Sequence, residues 1–328
     1  MSANPMAYTS TGWMEPPDHL LLATDEVHVW RIILEQPAQR VALLHRFLAG
    51  EEVERAEAFR FRGDKERFVV AHALLRIILG RYLCRDPREL CFRHGPWGKP
   101  FLGGDGGGSG VEIRFNLSHS DGLALLAVTR GAHIGVDIER IRPDLAYEGI
   151  ADRFFSSEEV ASLRTLTRKD IRRKAFFACW TRKEAYIKAI GEGLSCPLDR
   201  FTVSLGPWKP AALLHVEGNH EVAFRWALYE LNPGPYYAAA LAVEARGRRV
   251  RCFQWGGSKT QPGAAGSKKL MSHRVMHLAV VPLGFPEAPQ NRVDFPAPLE
   301  GSWLSHRYQV LHRSACHGRS WRCSAHGR

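Results

Sequence analysis

The chain has 328 residues, 45% hydrophobic and 24% charged, which is enough to bury a sizeable core in about two domains. Its longest apolar stretches, such as Leu123 to Val128, fall well short of the roughly 18 apolar residues a membrane span needs, which excludes a membrane partner by this route. The net charge is +11, but from Arg246 onward 14 Lys/Arg face 3 Asp/Glu while residues 1–245 carry 31 of each sign, so the body is neutral and nucleic acid is disfavoured as its partner.

In chain order, Val27 to Leu34 reads as a strand, and Glu51 to Arg60 and Asp64 to Leu83 read as helices with apolar residues at helical spacing. Gly103 to Gly110 is nearly all glycine and reads as a flexible connection. Val111 to Leu117, Leu123 to Thr129 and His133 to Glu139 are short apolar runs separated by turns, and their spacing predicts an antiparallel meander. Ser156 and Glu159 have capping-box spacing at the start of a helix, and a second helix spans Asp170 to Ile190 and stops at Gly191. Phe201 to Leu205, His215 to Val216, Val222 to Tyr229 and Tyr236 to Val243 read as strands of a second sheet, giving an α+β fold in two halves. The organisation expected is residues 1–140, residues 141–245, and a basic tail of low order at 246–328. Seven Cys with no paired spacing fit reduced thiols, and the first residues lack the basic-then-apolar order of a secretory signal, so a cytoplasmic location is expected.

Two acidic fragments carry the chemistry. In Gly135-Val-Asp-Ile-Glu139 the period of a strand points Asp137 and Glu139 to one side, and in Trp180 to Lys188 helical spacing puts Glu184 and Lys188 on one face. Three carboxylates and a cation suit Mg²⁺ with phosphate, because Mg²⁺ binds a few carboxylates and the substrate's own phosphates. Each fragment alone also fits ordinary solvent-facing acids or a surface Glu-to-Lys pair. Glu159 likewise fits both a helix cap and an acid near a site, while Phe154, Phe155 and Trp180 read as packing residues.

Five motifs occur in order: Gly98-Lys99-Pro100, Phe115-Asn-Leu-Ser-His-Ser120, Gly135 to Glu139, Phe154 to Glu159, and Trp180 to Lys188. Through them the chain, from about Val27 to Val243, resembles the Sfp-type 4′-phosphopantetheinyl transferases. The resemblance implies two similar subdomains with the active site between them, and Mg²⁺-dependent transfer of the phosphopantetheine arm of coenzyme A to a serine of an acyl or peptidyl carrier protein. It implies metal ligands at Asp137, Glu139 and Glu184, and Lys188 beside the pyrophosphate. It places Ser118 and His119, read as lying in a turn, against coenzyme A phosphates, Lys99 against the nucleotide, and Arg76 on the 3′-phosphate, with Arg60 as a helper. Glu184 is the expected general base, with Lys188 and His119 also in the catalytic set, and Lys183 is read as non-catalytic because it points elsewhere. Arg140, Arg142 and Arg153 are the expected carrier interface, and the analogy implies a monomer. Two other classes remain open at this point: a catalytically silent carrier- or coenzyme A-binding protein, and a tail-mediated binder of nucleic acid or anionic surfaces.

Overall fold

The computed structural model describes residues 12–103, 112–193, 196–206, 208–217 and 220–256. Most of the expected glycine connection, and the tail from residue 257, lie outside the described residues.

The first half comprises β1 (Glu26–Ile33), α1 (Ala38–His45), α2 (Gly50–Glu57), α3 (Arg62–Leu83), the short strands β2 (Phe92–His94) and β3 (Pro100–Leu102), β4 (Ile113–Ser120) and β5 (Leu123–Arg130). The second comprises β6 (Ile134–Arg140), α4 (Glu148–Phe154), α5 (Ser157–Arg164), α6 (Lys169–Ile190), β7 (Phe201–Val203), β8 (Leu213–Val216), α7 (His220–Phe224), β9 (Trp226–Leu231) and β10 (Tyr237–Glu244). A last strand, β11 (Arg249–Gln254), follows. None of the helices among the described residues is long and apolar enough to cross a membrane.

The strand period of two sorts the side chains into layers. In β1, Trp30 and Ile32 join Leu74, Ile78 and Leu79 of α3 in one core, while Val27 and Val29 face the other way. Those valines meet Ile134, Val136 and Ile138 of β6 and Leu241 and Val243 of β10 in a core between two sheets. A third core lies beyond, where Ala240 and Ala242 of β10 pack with Phe176, Trp180 and Ile187 of α6. The result is helix, sheet, sheet, helix, with a 22-residue helix on each outer face.

Three expectations change here. β6 is not the third strand of a meander: β4 pairs with β5 and β5 with β1 in the order β11-β1-β5-β4, whereas β6 pairs with β10 in the order β6-β10-β9. The sequence division at 140/141 therefore separates β6 from the sheet it belongs to. Residues Arg249–Gln254, assigned to the tail, form a strand running parallel to β1, with Val29 opposite Cys252 and Trp30 opposite Phe253. Finally, His220–Phe224 is a short helix before β9 rather than the start of a strand, and among the described residues β7 and β8 form a two-stranded sheet of their own.

The capping box is present. Ser156 Oγ accepts from Glu159 N at 3.3 Å and Glu159 Oε2 accepts from Ser156 N at 2.9 Å. The same carboxylate accepts from Val203 N at 2.7 Å and pairs with the fully buried Lys183 at 2.8 Å, so Glu159 ties α5, β7 and α6 together. Lys183 also donates to the carbonyls of Leu198 and Phe201. Both residues are structural, as removing one partner of such a buried pair typically costs about 3–5 kcal/mol.

A second buried network lies under β11. His28 Nδ1 is 2.7 Å from Tyr82 Oη, Trp30 Nε1 donates to that oxygen at 2.9 Å, and Glu26 is 3.3 Å from His28 Nε2. Burial pushes the His28 imidazole down to about 4, against the opposing pull of Glu26, with Arg251 assisting. A lowered histidine contributes stability that is fully present above its ordinary value near 6.5 and lost as pH falls toward 4. Thermal melts between pH 7 and 4 should therefore show a loss on the order of 2–3 kcal/mol that His28→Gln flattens. Equal acid sensitivity in both proteins would remove His28 as its source.

Candidate active site

Gly135 determines where α6 can sit. A Cβ at this position would lie 2.1 Å from the carbonyl oxygen of Ala185 and 2.4 Å from the amide nitrogen of Ala189, so the helix backbone rests directly on the strand. Only glycine permits that approach. Asp137 and Glu139 share Gly135's side of β6, and Glu184 and Lys188 lie on the stretch of α6 that crosses there.

The contact has a specific geometry. Lys188 Nζ donates to Asp137 Oδ1 at 2.6 Å and to Ser118 Oγ at 2.8 Å, and Ser118 Oγ donates to the same Asp137 oxygen at 3.0 Å. Lys188 therefore reaches across to the strand rather than out to solvent; its side chain is 12% exposed and its partner Asp137 is fully buried. Glu139 Oε2 accepts from Ser120 Oγ at 3.0 Å, and Glu184 is buried on α6 one turn before Lys188. The second Asp137 oxygen, Oδ2, is buried without a hydrogen-bond donor among the described residues. An orphaned carboxylate oxygen is expensive, and its presence points to a ligand.

Among the described residues no three His, Cys, Asp or Glu side chains form a ready-made metal cage. One reason is visible: Asp137 Oδ1 is held by Lys188 and Ser118, and Glu139 is bound by Ser120. The donor chemistry nevertheless fits a hard cation, with carboxylates two apart on one strand, a third acid on the crossing helix, and one oxygen unsatisfied. Mg²⁺ keeps several waters and leans on substrate phosphates, so it needs no closed protein cage.

Comparison with known proteins gives this arrangement a family. Residues 35–131 match the family described as 4′-phosphopantetheinyl transferase, N-terminal, and residues 133–242 match the 4′-phosphopantetheinyl transferase superfamily. The chain is 40% identical over 243 residues to the 4′-phosphopantetheinyl transferase HetI of Nostoc, covering 74% of this chain and 98% of that one. The chain belongs to the 4′-phosphopantetheinyl transferase superfamily. It is also 31% identical over 196 residues to the 4′-phosphopantetheinyl transferase Sfp of Bacillus subtilis, covering 60% and 83% of the two chains. The 4′-phosphopantetheinyl transferase psf-1 of Bacillus pumilus is 33% identical over 214 residues, covering 65% and 86%.

Within this 4′-phosphopantetheinyl transferase, the other expected site residues are placed differently from the reading of the motifs. Ser118 and His119 are not in the turn but in β4 itself, the turn being Asp121-Gly122, and they face opposite ways. Ser118 points to β6, whereas His119 shares the side of Phe115 and Leu117, toward α3. His119 is exposed on that face, and desolvation by its surroundings together with the Lys188 charge lowers its imidazole.

Arg76 is buried and spoken for. Its Nε bonds Glu52 at 2.6 Å, its Nη1 donates to the carbonyls of Pro87 and Leu90, and its guanidinium lies 4.9 Å from the centre of the Phe92 ring. This arginine clamps α2 to the segment after α3. Burial raises the Glu52 carboxyl, but hydrogen bonds from His72, Arg76 and the Ala49 amide outweigh it and hold the group at about 2. Lys99 donates to the carbonyls of Ile134 at 2.9 Å and Ala189 at 3.0 Å, closing the C-terminal end of α6 onto the start of β6. Burial, with the nearby Arg114, lowers its ammonium to about 8. Arg60 is exposed and stacks on Phe61 at 5.3 Å, apart from the acids.

Of the expected interface, Arg140 and Arg142 both reach Asp121, at 2.8 and 3.9 Å, and Arg153 stacks on Phe154. Arg140 also lines a cleft of about 490 Å³ with Tyr236 and Tyr237, next to Glu139 in the chain. Ser120, to which the sequence reading gave no role, also reaches this region through its bond to Glu139. Its signal was the strand period, which puts it on the same side as Ser118.

Proposed function

We propose that this 4′-phosphopantetheinyl transferase moves the arm of coenzyme A onto the serine hydroxyl of an apo acyl or peptidyl carrier protein, releasing adenosine 3′,5′-bisphosphate. The serine oxygen forms a bond to the β-phosphorus as the P–O bond to the nucleotide breaks, and the serine proton goes to a base. Asp137, Glu139 and Glu184 hold a divalent cation, with Mg²⁺ the best match to all-oxygen donors. When bound, it supplies charge neutralisation and orientation of the pyrophosphate. Lys188 offsets negative charge on the phosphates, and Ser118 steadies both Lys188 and Asp137. Glu184 takes the proton, and His119, exposed on β4, adds a hydrogen-bonding group at the edge. The buried Asp137 Oδ2, left without a hydrogen bond while Oδ1 holds the Lys188 ammonium, is the observation that carries this reading, because the open carboxylate oxygen would take a cation and the ammonium would offset phosphate charge beside it.

The test is stoichiometry with two truncations. With coenzyme A, Mg²⁺ and apo carrier, one adenosine 3′,5′-bisphosphate should appear per carrier modified, and removal of residues 257–328 should leave this unchanged. Removal from 246 onward should cost activity through instability, because it deletes β11 from its place beside β1. If the shorter deletion abolished carrier modification while leaving the protein folded, the transferase reading of the body would fail in favour of a tail-dependent one.

A further inference from the structure

Strand β4 carries Asn116, Ser118 and Ser120 at alternate positions, and all three reach β6. These two strands belong to different sheets, so the bonds between them come from side chains rather than a backbone ladder. Asn116 Oδ1 accepts from Val136 N at 2.8 Å, and Ser120 Oγ accepts from Arg140 N at 3.0 Å. The seam thereby satisfies amides on the side of β6 away from β10.

Ser120 differs from Asn116 in one respect: its hydroxyl is also bonded to an acid of the site. While Oγ accepts from Arg140 N, it donates its single proton to Glu139 Oε2 at 3.0 Å, and the residue is 1% exposed. The backbone bond orients the hydroxyl, and the hydroxyl orients the carboxylate. We infer that Ser120 is a positioning residue for Glu139, fixing that carboxylate for a divalent cation. The inference rests on the reading of Glu139 as a cation ligand. Losing an outer-shell partner of this kind typically weakens metal binding about 10–100-fold.

The experiment uses the full chain and Mn²⁺ as probe, its free signal followed by electron paramagnetic resonance with coenzyme A present, alongside the Mg²⁺ dependence of carrier modification. Ser120→Ala should raise the Mn²⁺ dissociation constant and the half-saturating Mg²⁺ about tenfold or more, with the carrier KM little changed. Ser120→Thr, which keeps the hydroxyl, should restore both toward wild type. Asn116→Ala loosens the same seam without touching an acid, and should lower the melting temperature while leaving cation affinity in place. The inference is overturned if Ser120→Ala binds Mn²⁺ as wild type does, or if Asn116→Ala weakens Mn²⁺ equally, since the seam in general would then be responsible. Wild-type protein that neither binds Mn²⁺ nor needs Mg²⁺ would instead refute the cation-site reading beneath it.

Discussion

Asp137→Asn should lower carrier modification on the order of 10³-fold or more while the protein stays folded, a loss equivalent to several kcal/mol of transition-state stabilisation. The change keeps the shape, and an amide oxygen can still accept from Lys188 and Ser118, whose donors stand 2.6 and 3.0 Å away. What disappears is the charge, together with the capacity of the buried Oδ2 to hold a cation. Melting temperature and activity report separately on the two effects. A near-native melt with activity lost is the expected pair, whereas activity within about tenfold of wild type would remove Asp137 from the chemistry.

Gly135→Ala should damage both stability and activity, and for one geometric reason. The added methyl would meet backbone atoms of α6 at 2.1 and 2.4 Å, and backbone cannot swing aside as a flexible side chain would. The helix must shift outward, at a cost of roughly 3 kcal/mol or more. Glu184 and Lys188 travel with it, and the 2.6 Å Lys188–Asp137 contact opens. Denaturant melts and carrier modification should therefore fall together. A variant with native stability would show that α6 tolerates the displacement, and that its close seat on β6 is not what sets the site.

The two acidic fragments were legible because strand and helix periods alone put Asp137 with Glu139 and Glu184 with Lys188, and the structure keeps both pairs on the faces expected. The long helices, the capping box at Ser156 and the stop at Gly191 were legible for the same local reasons, Gly191 adopting a φ of 79°. Partnering was not legible. Arg130-Gly131 reads equally well as a hairpin turn or as the start of a crossover, and nothing in the apolar run of β6 says that it pairs with β10 rather than β5. β11 was hidden because its alternating residues sit within a basic stretch whose overall composition suggests low order. Arg76 and Lys99 illustrate a different limit. A basic residue in a phosphate-binding motif reads as a ligand, and the motif gives no sign that Arg76 also donates to the carbonyls of Pro87 and Leu90, or Lys99 to those of Ile134 and Ala189, contacts that only the packed structure reveals.

The central claim is tested most directly by intact mass spectrometry of an apo carrier protein after incubation with coenzyme A, Mg²⁺ and the wild-type chain or Asp137→Asn. The account predicts a gain of one phosphopantetheine on the carrier with wild type and none with the variant. It is contradicted if the variant modifies the carrier as fast as wild type, or if wild type binds coenzyme A yet leaves fatty-acid, polyketide and nonribosomal-peptide type carriers all unmodified.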